Sequence, residues 1–459
     1  MGFAGTRTII SKKGKIMGYA IKSILHNKAK TLLHMETEPG LGCTEPATLG
    51  LCAAAAASLL AERKIDTMAV TVNPSLYKNA MGVIIPASGG KNGVLLASAL
   101  GAISGDPKNG LEIFSTVRDS GVKKAEQLLA EGNLTATIDK KKTSIYVKTI
   151  IKSGTQTAEA VIADRHNHIQ SLSLNGKIRE EHPFKIDSQM DGGTMDDLKG
   201  WLTSLSLQDI LDLLEGLDSD DINFIQEGID LNMKLVEYGL QYGPGLGVGR
   251  TQLSLIRQGL LKRDMVTEAG LHASAGIDAR MGGAMLPAMT LAGSGNQGIA
   301  ATTPLVAAAR FASLEDSALL IRAIALSYLI TCTIKVHAGR IGPLCGSCVA
   351  SGAGVAAGIS YLFGGTHDKI GGAINNHLEN SAMILCDGAK TSCALKVGEA
   401  TASAVKSALL ALQGLVVGPN DGIIDAKPET TMKNIGTLIK TGLKDMDTAI
   451  LDLMLNKCT

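Results

Sequence analysis

Five of the eight cysteines lie in one part of the chain, between Cys332 and Cys393. Cys386 and Cys393 lie seven residues apart in the segment LCDGAKTSC, and Cys345 and Cys348 lie in GPLCGSC. Glycine beside these thiols lets the backbone approach a bulky inorganic group and donate amide hydrogen bonds to sulfur. Thiolates are the usual ligands of structural zinc and of iron–sulfur clusters. We therefore interpret these cysteines as candidate metal ligands.

The spacing of these thiols leaves several kinds of site open. A closed zinc site would use all four of them, although Cys386 and Cys393 lack the short spacing of a zinc knuckle. An iron–sulfur cluster held by three thiolates would leave one iron free to act as a Lewis acid. Cys345 and Cys348 could also form a redox pair, although they lack the strand-to-helix setting of thioredoxin-like motifs. Buried structural cysteines are the remaining alternative.

Cys43 is a candidate of a different kind because it directly precedes a predicted helix. Gly40 and Gly42 interrupt regular structure before it, and the residues TEP after it open an alanine-rich segment of high helix propensity. The positive end of a helix dipole favours an anion and lowers the pKa of a nearby thiol. The sequence therefore predicts either a reactive thiolate at Cys43 or a small buried residue at a loop.

Composition argues against several classes of function. The chain has 459 residues, and its 44 basic and 43 acidic side chains leave a formal charge of +1, which gives no electrostatic basis for binding nucleic acid or an anionic membrane. Only 3% of the residues are aromatic and 53 are glycine, which favours closely packed helices over base-stacking platforms. Eight cysteines in so long a chain, with no signal peptide in its first residues, indicate reduced thiols in the cytoplasm.

Two long uncharged segments, 281–309 and 341–366, exceed the length of a membrane-spanning helix. Glycine and polar residues interrupt both, and neither has flanking aromatic belts or basic residues. We interpret them as buried glycine-rich loops and helices around a site rather than as parts of a transporter.

The pattern along the chain changes three times. Residues 1–16 form a basic extension that we expect to be disordered, with Met17 as an alternative start, and residues 17–65 form a helical segment with the GCTEP motif. Residues 66–185 show the alternating, β-branched pattern of antiparallel strands, and residues 186–459 show helical spacing with glycine-rich breaks and no convincing strand. The predicted fold class is α+β, a mainly helical domain with an N-terminal antiparallel α+β subdomain.

Individual elements follow from local signals. The segments MAVTVNP and VIIPAS are typical of short strands, with helices predicted at 93–104 and 121–131 and turns at 153–154 and 175–176. Ser206 with Asp209 predicts a capping box at the start of a helix.

His166 and His168 would share one face of a strand. Because no third metal ligand is evident nearby, we interpret both as surface residues.

Five motifs distributed along the chain resemble those of one known family: EPGLGCTEPATLGL, VNPSLYKNAMGVIIPASG, ALGAISGD, GSGNQGIAATTPL and ILCDGAKTSCALKV. They resemble the L-cysteine desulfidase family (UPF0597), which is related to the alpha chain of iron–sulfur-dependent L-serine dehydratase. The resemblance runs from about residue 17 to the C-terminus. It implies a [4Fe-4S] cluster held by three cysteines and a pyridoxal-phosphate-independent elimination that converts L-cysteine to pyruvate, ammonia and sulfide.

The resemblance also implies roles for particular residues of this chain. The cluster ligands would be Cys345, Cys386 and Cys393, with Cys345 preferred over Cys348 by its spacing, and the proton acceptor would be Cys43. Cys458 lies outside the matched motifs. Asp387 and Lys390 would order the turn between the last two ligands.

We expect the substrate-binding groups to be polar residues in glycine-rich turns. Ser294 and Asn296 of SGNQG are the preferred candidates, with VNPSLYKN and His337 as further ones, because amide-rich turns suit a carboxylate. We expect His337 to pack locally. The expected partner is a small amino acid, L-cysteine or L-serine, without nucleic acid or membrane, and the apolar content is compatible with a homo-oligomer. A serine dehydratase and a non-enzymatic iron–sulfur or zinc sensor are the competing functions.

Overall fold

The computed structural model describes residues 26–180, 182, 184, 194–315 and 318–457. The predicted basic extension at 1–16, the alternative start at Met17 and the terminal cysteine Cys458 lie outside the described residues.

A mixed six-stranded sheet and a separate two-stranded pairing contain all the named strands of the described residues. The strands are β1 (Pro39–Leu41), β2 (Thr67–Val72), β3 (Leu134–Ile138), β4 (Tyr146–Ser153), β5 (Gln156–Ala163), β6 (Ile169–Leu174), β7 (Lys177–Ile178) and β8 (Pro287–Met289). The large sheet has the order β3-β2-β4-β5-β6-β7. All its pairs are antiparallel except β2 with β3, which are parallel because helices connect them.

Most of the other regular structure of the described residues consists of α-helices. They are α1 (26–36), α2 (Thr44–Ala57), α3 (Pro74–Ala80), α4 (Val94–Ser104), α5 (Asp119–Ala130), α6 (Met195–Leu202), α7 (Leu207–Leu213), α8 (Ser219–Tyr242), α9 (Val248–Arg257), α10 (Met265–Met281), α11 (Gly295–Phe311), α12 (Ala318–Ala338), α13 (Gly346–Leu362), α14 (His367–Ser381), α15 (Cys393–Leu412), α16 (Pro428–Thr437) and α17 (Met446–Leu455). The predicted α+β class, mainly helical with an N-terminal sheet, is confirmed.

Small residues let the helices approach closely, as the composition predicts. Every residue of α2 is buried, and its Gly50 faces Gly101 of α4. A Cβ atom on Gly101 would lie 2.1 Å from the Gly50 carbonyl oxygen, so only glycine permits this contact. The alanine-rich helix that begins after Cys43 is thereby fixed against α4 and the sheet.

A short β pairing joins the N-terminal segment that precedes Cys43 to the helical domain at 186–459. Strand β1 lies just before Cys43 and pairs antiparallel with β8, with Pro39 opposite Met289. The sequence predicted no strand after residue 186, and this prediction was wrong at β8. Three residues without alternating polarity carry no strand signal of their own, and the pairing is completed only by β1 from a distant part of the chain.

The elements predicted for residues 66–185 are mostly confirmed. Helices α4 and α5 and the turns at 153–154 and 175–176 are present. The segment VIIPAS is not a strand, because Pro86 cannot donate to a sheet and Ala87 adopts a positive φ of 59°. Instead Ile85 donates to the Lys91 carbonyl at 2.9 Å, which closes a loop.

The helical region contains the predicted capping box, in which Ser206 and Asp209 bond each other's backbone amides. Both long uncharged segments lie largely inside the fold, where α11 and α13 are almost entirely buried. Helix α12 is long and apolar enough to cross a bilayer, but 78% of its most apolar stretch is buried. It is therefore a core helix of the helical region.

Candidate active site

Cys345 and Cys386 are brought side by side by a short antiparallel pairing of two loops. The Cys345 amide donates to the Ile384 carbonyl at 2.9 Å, and the Cys386 amide donates to the Pro343 carbonyl at 2.7 Å. Leu344 and Leu385 form the bridge between these bonds. Two segments forty residues apart in sequence thus present their thiols from one fixed backbone unit.

The turn between Cys386 and Cys393 is ordered by its charged residues. The Lys390 ammonium bonds the Asp387 carboxylate at 2.6 Å and the Gly388 carbonyl at 3.1 Å, and Lys396 bonds the same carboxylate. The prediction that Asp387 and Lys390 order this turn is confirmed. Lys396, one turn into α15, is a partner that the sequence did not indicate.

A buried ion pair holds the Cys386 loop from the other side. Lys78 of α3 is fully buried, and its ammonium bonds the Cys386 carbonyl and the Asp447 carboxylate, each at 2.6 Å. Ser75 also bonds Asp447. The C-terminal helix α17 is therefore tied through α3 to the loop that carries Cys386.

Three of the candidate thiols lie at helix N-termini. Cys43 and Cys345 immediately precede α2 and α13, and Cys393 is the first residue of α15. The positive ends of these helices favour a bound anion. Lys335 adds positive charge close to Cys345, since its ammonium would lie 3.4 Å from a Cβ placed on the adjacent Gly346. Burial lowers the pKa of Lys335 to about 8, even though the sulfurs of Cys386 and Cys345 favour its charged form.

The arrangement of the thiols distinguishes between the candidate metals. Tetrahedral zinc with bonds of 2.3 Å requires sulfurs about 3.8 Å apart. Among the described residues, no three of the candidate cysteines place their sulfurs within 4.8 Å of one another, so the thiols do not converge on a single ion. A multi-iron cluster takes ligands that are farther apart, carries negative charge and suits thiolates beside lysines and helix N-termini. The donor set therefore fits an iron–sulfur cluster better than a closed zinc site.

Cys345 and Cys348 have different surroundings. Cys345 is partly exposed and lies against the 384–386 loop, whereas Cys348 is fully buried in the first turn of α13. A hydrogen bond from the Cys348 thiol lowers the pKa of Cys345 to about 6. These surroundings favour Cys345 as the ligand, with Cys348 donating to its sulfur.

Cys43 is buried and hydrogen-bonded, and its thiol donates to Glu45 Oε2 at 2.9 Å. Burial and the neighbouring Glu45 carboxylate raise the pKa of Cys43 well above its ordinary value. The expectation that the helix terminus would make Cys43 a ready thiolate is therefore wrong for this state. Loss of hydration and an adjacent negative charge outweigh the helix dipole.

Glu45 connects Cys43 to the loop that carries Cys386. Asn79 donates to Glu45 Oε1 at 3.0 Å, and the Cys386 sulfur lies 3.8 Å from the other end of the same Asn79 amide. Burial alone would raise the pKa of Glu45, but the His166 imidazole and the hydrogen bonds from Cys43 and Asn79 bring that pKa below its usual range. Glu45 is therefore an ionised carboxylate that accepts the Cys43 thiol proton in its hydrogen bond.

His166 is not a surface residue, contrary to the sequence-based interpretation. It lies in the turn between β5 and β6, is 3% exposed, and places Nε2 3.9 Å from Glu45 Oε1. Burial lowers the pKa of His166 to about 4. The loop folds inward here, which an alternating strand pattern does not reveal. His168 is partly buried and bonds the Ala163 carbonyl.

Arg280, in the last turn of α10, is a buried cation near the Cys43–Glu45 pair and near Cys393. It is 1% exposed, and it lies close enough to Cys43, Glu45 and Cys393 to interact electrostatically with each of them when that group is ionised. Its Nη1 donates to Asn296 Oδ1 at 2.8 Å.

The two predicted substrate residues lie at the start of α11. Ser294 is half-buried at the N-cap without a side-chain capping bond, and Asn296 is buried against Arg280. Gln297, in the same turn, lies against Gly346 beside Cys345, since a Cβ on that glycine would meet its Oε1 at 2.4 Å.

His337 packs against Gly436 of α16, as expected, rather than at this site.

The site therefore combines distant parts of the chain. Cys43, Cys345, Cys348 and Cys393 contribute to one continuous hydrophobic cluster, and Asn79 links Cys386 to the same centre. Sequence reasoning treated Glu45 only as a helix-opening residue and missed Arg280. Asn79 was included within VNPSLYKN.

Comparison with known proteins identifies the family. The family model for the serine dehydratase alpha chain matches residues 108–452. A UPF0597 protein from Desulfatibacillum aliphaticivorans is 43% identical over 430 residues, which cover 93% of this chain and 98% of that protein. A UPF0597 protein from Desulfotalea psychrophila is 44% identical over 426 residues, covering 93% and 97%, and one from Clostridioides difficile is 34% identical over 423 residues, covering 92% and 98%. The chain belongs to the UPF0597 family and contains a serine dehydratase alpha chain domain.

Proposed function

We propose that this protein is an L-cysteine desulfidase, a cytoplasmic carbon–sulfur lyase that uses a [4Fe-4S] cluster and no pyridoxal phosphate. The observation that carries the proposal is the meeting of two groups of residues. Thiols from the 343–346 and 384–393 segments lie beside the Cys43–Glu45 pair at the start of α2, and Asn79 contacts both groups. The domain shared with serine dehydratase alpha chains supports a lyase-type reaction.

The cluster would be held by Cys345, Cys386 and Cys393. When bound, it supplies a Lewis-acidic iron that stabilises the negative charge developing on the substrate. Lys335 lies close enough to Cys345 and Cys386, and Lys396 to Cys345 and Cys393, to offset the negative charge that the ligand thiolates would carry.

The protein's own residues would carry the proton transfer. In the elimination the Cα–H bond of L-cysteine breaks, a Cα–Cβ double bond forms and the Cβ–S bond breaks to release sulfide. The Cys43 sulfur accepts the α-proton while its own thiol proton passes to Glu45, along the 2.9 Å hydrogen bond. The released aminoacrylate tautomerises to an imine, which water hydrolyses to pyruvate and ammonia.

Serine dehydratase activity is the second candidate because the matching family model is that of the serine dehydratase alpha chain. The same proton transfer would apply, with hydroxide leaving from Cβ in place of sulfide. A sensor would have no use for a buried thiol–carboxylate pair beside the metal ligands, so the Cys43–Glu45 pair favours an enzyme.

An anaerobic assay tests the proposal. Reconstituted protein is given L-cysteine, L-serine and L-threonine in turn, and sulfide, ammonia and pyruvate are measured together with iron and acid-labile sulfide per chain. We expect equal amounts of sulfide and pyruvate from L-cysteine at the highest kcat/KM. Faster pyruvate formation from L-serine would assign the second candidate, and a colourless zinc protein without turnover would contradict both.

A further inference from the structure

The guanidinium of Arg280 has one edge without a partner. Its Nη1 is bonded to Asn296, but Nε and Nη2 have no hydrogen-bond partner among the described residues, although the side chain is only 1% exposed. A buried charge left without hydrogen bonds is strongly destabilising. Nε and Nη2 lie on the same edge of the guanidinium, and this edge binds a carboxylate through two parallel hydrogen bonds.

The surroundings of this edge are also positive. The guanidinium lies against Gly295, the first residue of the seventeen-residue helix α11, where a Cβ would come within 2.3 Å of Nε. Ser294 caps this helix without a side-chain bond. Helix N-termini favour anions and disfavour cations, so a buried arginine at this end is unfavourable unless an anion is present.

The nearby acidic groups of the protein do not fill this position. Both oxygens of Glu45 are bonded to Cys43, Thr44 and Asn79, and Glu45 forms no hydrogen bond with Arg280 among the described contacts. Glu45 and Cys43 nevertheless lie close enough to influence the charge of Arg280. The free edge therefore lies near the proton-transfer pair and has no hydrogen-bond partner among the described residues.

We propose that Arg280 binds the α-carboxylate of the substrate amino acid through Nε and Nη2, with the N-terminus of α11 as the second anion-binding element. This inference rests on the proposed function, since it assigns the substrate orientation at that site. The carboxylate is held at α11. The α-carbon is thereby directed to the region between Cys43 and Cys393. Asn296 orients the guanidinium through Nη1 and does not itself need to touch the substrate.

Calorimetry on the anaerobically loaded protein tests this directly. The probes are L-alanine, which has the carboxylate but no leaving group, and L-alaninamide, which lacks the carboxylate charge. We expect wild type to bind L-alanine at least tenfold more tightly than L-alaninamide. Arg280→Gln should weaken L-alanine binding by about 10- to 100-fold and abolish the preference, since hydrogen bonds between charged groups are among the strong ones. Arg280→Lys should restore part of it.

Two further variants control the experiment. Arg263→Gln makes the same exchange at an exposed arginine just before α10 and should leave the preference intact. Asn296→Asp keeps Arg280 but places a competing carboxylate 2.8 Å from its guanidinium, and should also weaken L-alanine binding. It covers the case in which Arg280→Gln does not fold.

The outcomes separate this inference from the proposed function. Wild-type protein that prefers L-alanine but turns over neither L-cysteine nor L-serine would leave the inference standing and reject the proposed function. Active protein whose Arg280→Gln variant keeps the wild-type preference and KM would overturn the inference alone. Loss of iron and acid-labile sulfide from folded Arg280→Gln would also overturn it, because Arg280 would then hold the cluster rather than the substrate.

Discussion

Cys43 and Glu45 share one proton-transfer task in the proposed reaction. A thiol buried beside a carboxylate holds its proton, so Cys43 can accept a substrate proton only if its own proton leaves at the same time. Glu45 is the hydrogen-bonded acceptor in place for it. The pair works as a unit, comparable in logic to a nucleophile and its base.

Glu45→Gln should separate hydrogen bonding from proton acceptance. The amide has nearly the same shape but cannot take the Cys43 proton, so we expect kcat to fall about 10²- to 10⁴-fold with iron content unchanged. The measurement is steady-state turnover of anaerobically loaded protein. Thr44→Val, which removes only a neighbouring 3.1 Å bond to the same carboxylate, should change kcat by less than about tenfold. Wild-type turnover in Glu45→Gln would remove Glu45 from the mechanism.

At the scale of elements, the site depends on contacts that hold loops rather than on regular secondary structure. The 343–346 and 384–386 segments pair with each other, and α17 fixes the Cys386 loop through Asp447 and Lys78. Lys78 is fully buried, and its ammonium is paired with the Asp447 carboxylate at 2.6 Å.

Asp447→Ala should therefore destabilise the protein and loosen the Cys386 loop. Removing one partner of a buried ion pair typically costs about 3–5 kcal/mol. We expect a lower thermal midpoint and fewer irons retained per chain after dilution into buffer without iron. Asp452→Ala on the same helix removes only an exposed contact with Lys140, and should behave as wild type. If both variants behave alike, the clamp through Lys78 is not what holds the loop.

Local signals in the sequence predicted the elements but not all of their partners. Alanine-rich α2 and the Ser206 capping box were predictable because propensity and capping act within a few residues. Strand β8 and the inward turn of His166 were not, because contacts from distant segments determine both. The burial of Arg280 is likewise invisible in a sequence, since nothing local distinguishes a buried arginine from a surface one.

For the molecule as a whole, buried histidines should make stability depend on pH. Burial lowers the pKa values of His166 and His377 to about 4 from an ordinary value of about 6.5. The folded state thus binds fewer protons than the unfolded state between these values. The contribution is fully present above about pH 6.5 and is lost as pH falls toward 4.

His377→Gln tests this away from the proton-transfer pair. His377 lies between α14 and α13, with Nε2 2.8 Å from the Cys348 carbonyl oxygen. Between pH 7 and pH 5, wild type should lose about 2 kcal/mol more unfolding free energy than the variant, because one buried histidine no longer titrates. Chemical denaturation of cluster-free protein at the two pH values measures the difference. Equal losses would show that His377 does not carry this dependence.

The whole fold places Cys43, from the first tenth of the chain, in one hydrophobic cluster with Cys345, Cys348 and Cys393, and Asn79 links Cys386 to the same centre. In the proposed reaction these thiols have separate tasks: Cys43 moves a proton, and Cys345, Cys386 and Cys393 hold the cluster. Visible absorption reports the cluster alone, whereas sulfide release requires both the cluster and proton transfer by Cys43.

The most direct measurement compares Cys43→Ala with Cys386→Ala, each purified and reconstituted without oxygen, by visible absorption and by sulfide release from L-cysteine. We expect Cys43→Ala to keep the wild-type absorption and to lose at least about a hundredfold in kcat, and Cys386→Ala to lose the absorption and the activity together. A Cys43→Ala variant with normal turnover, or a Cys386→Ala variant with an intact cluster and normal turnover, would contradict this expectation.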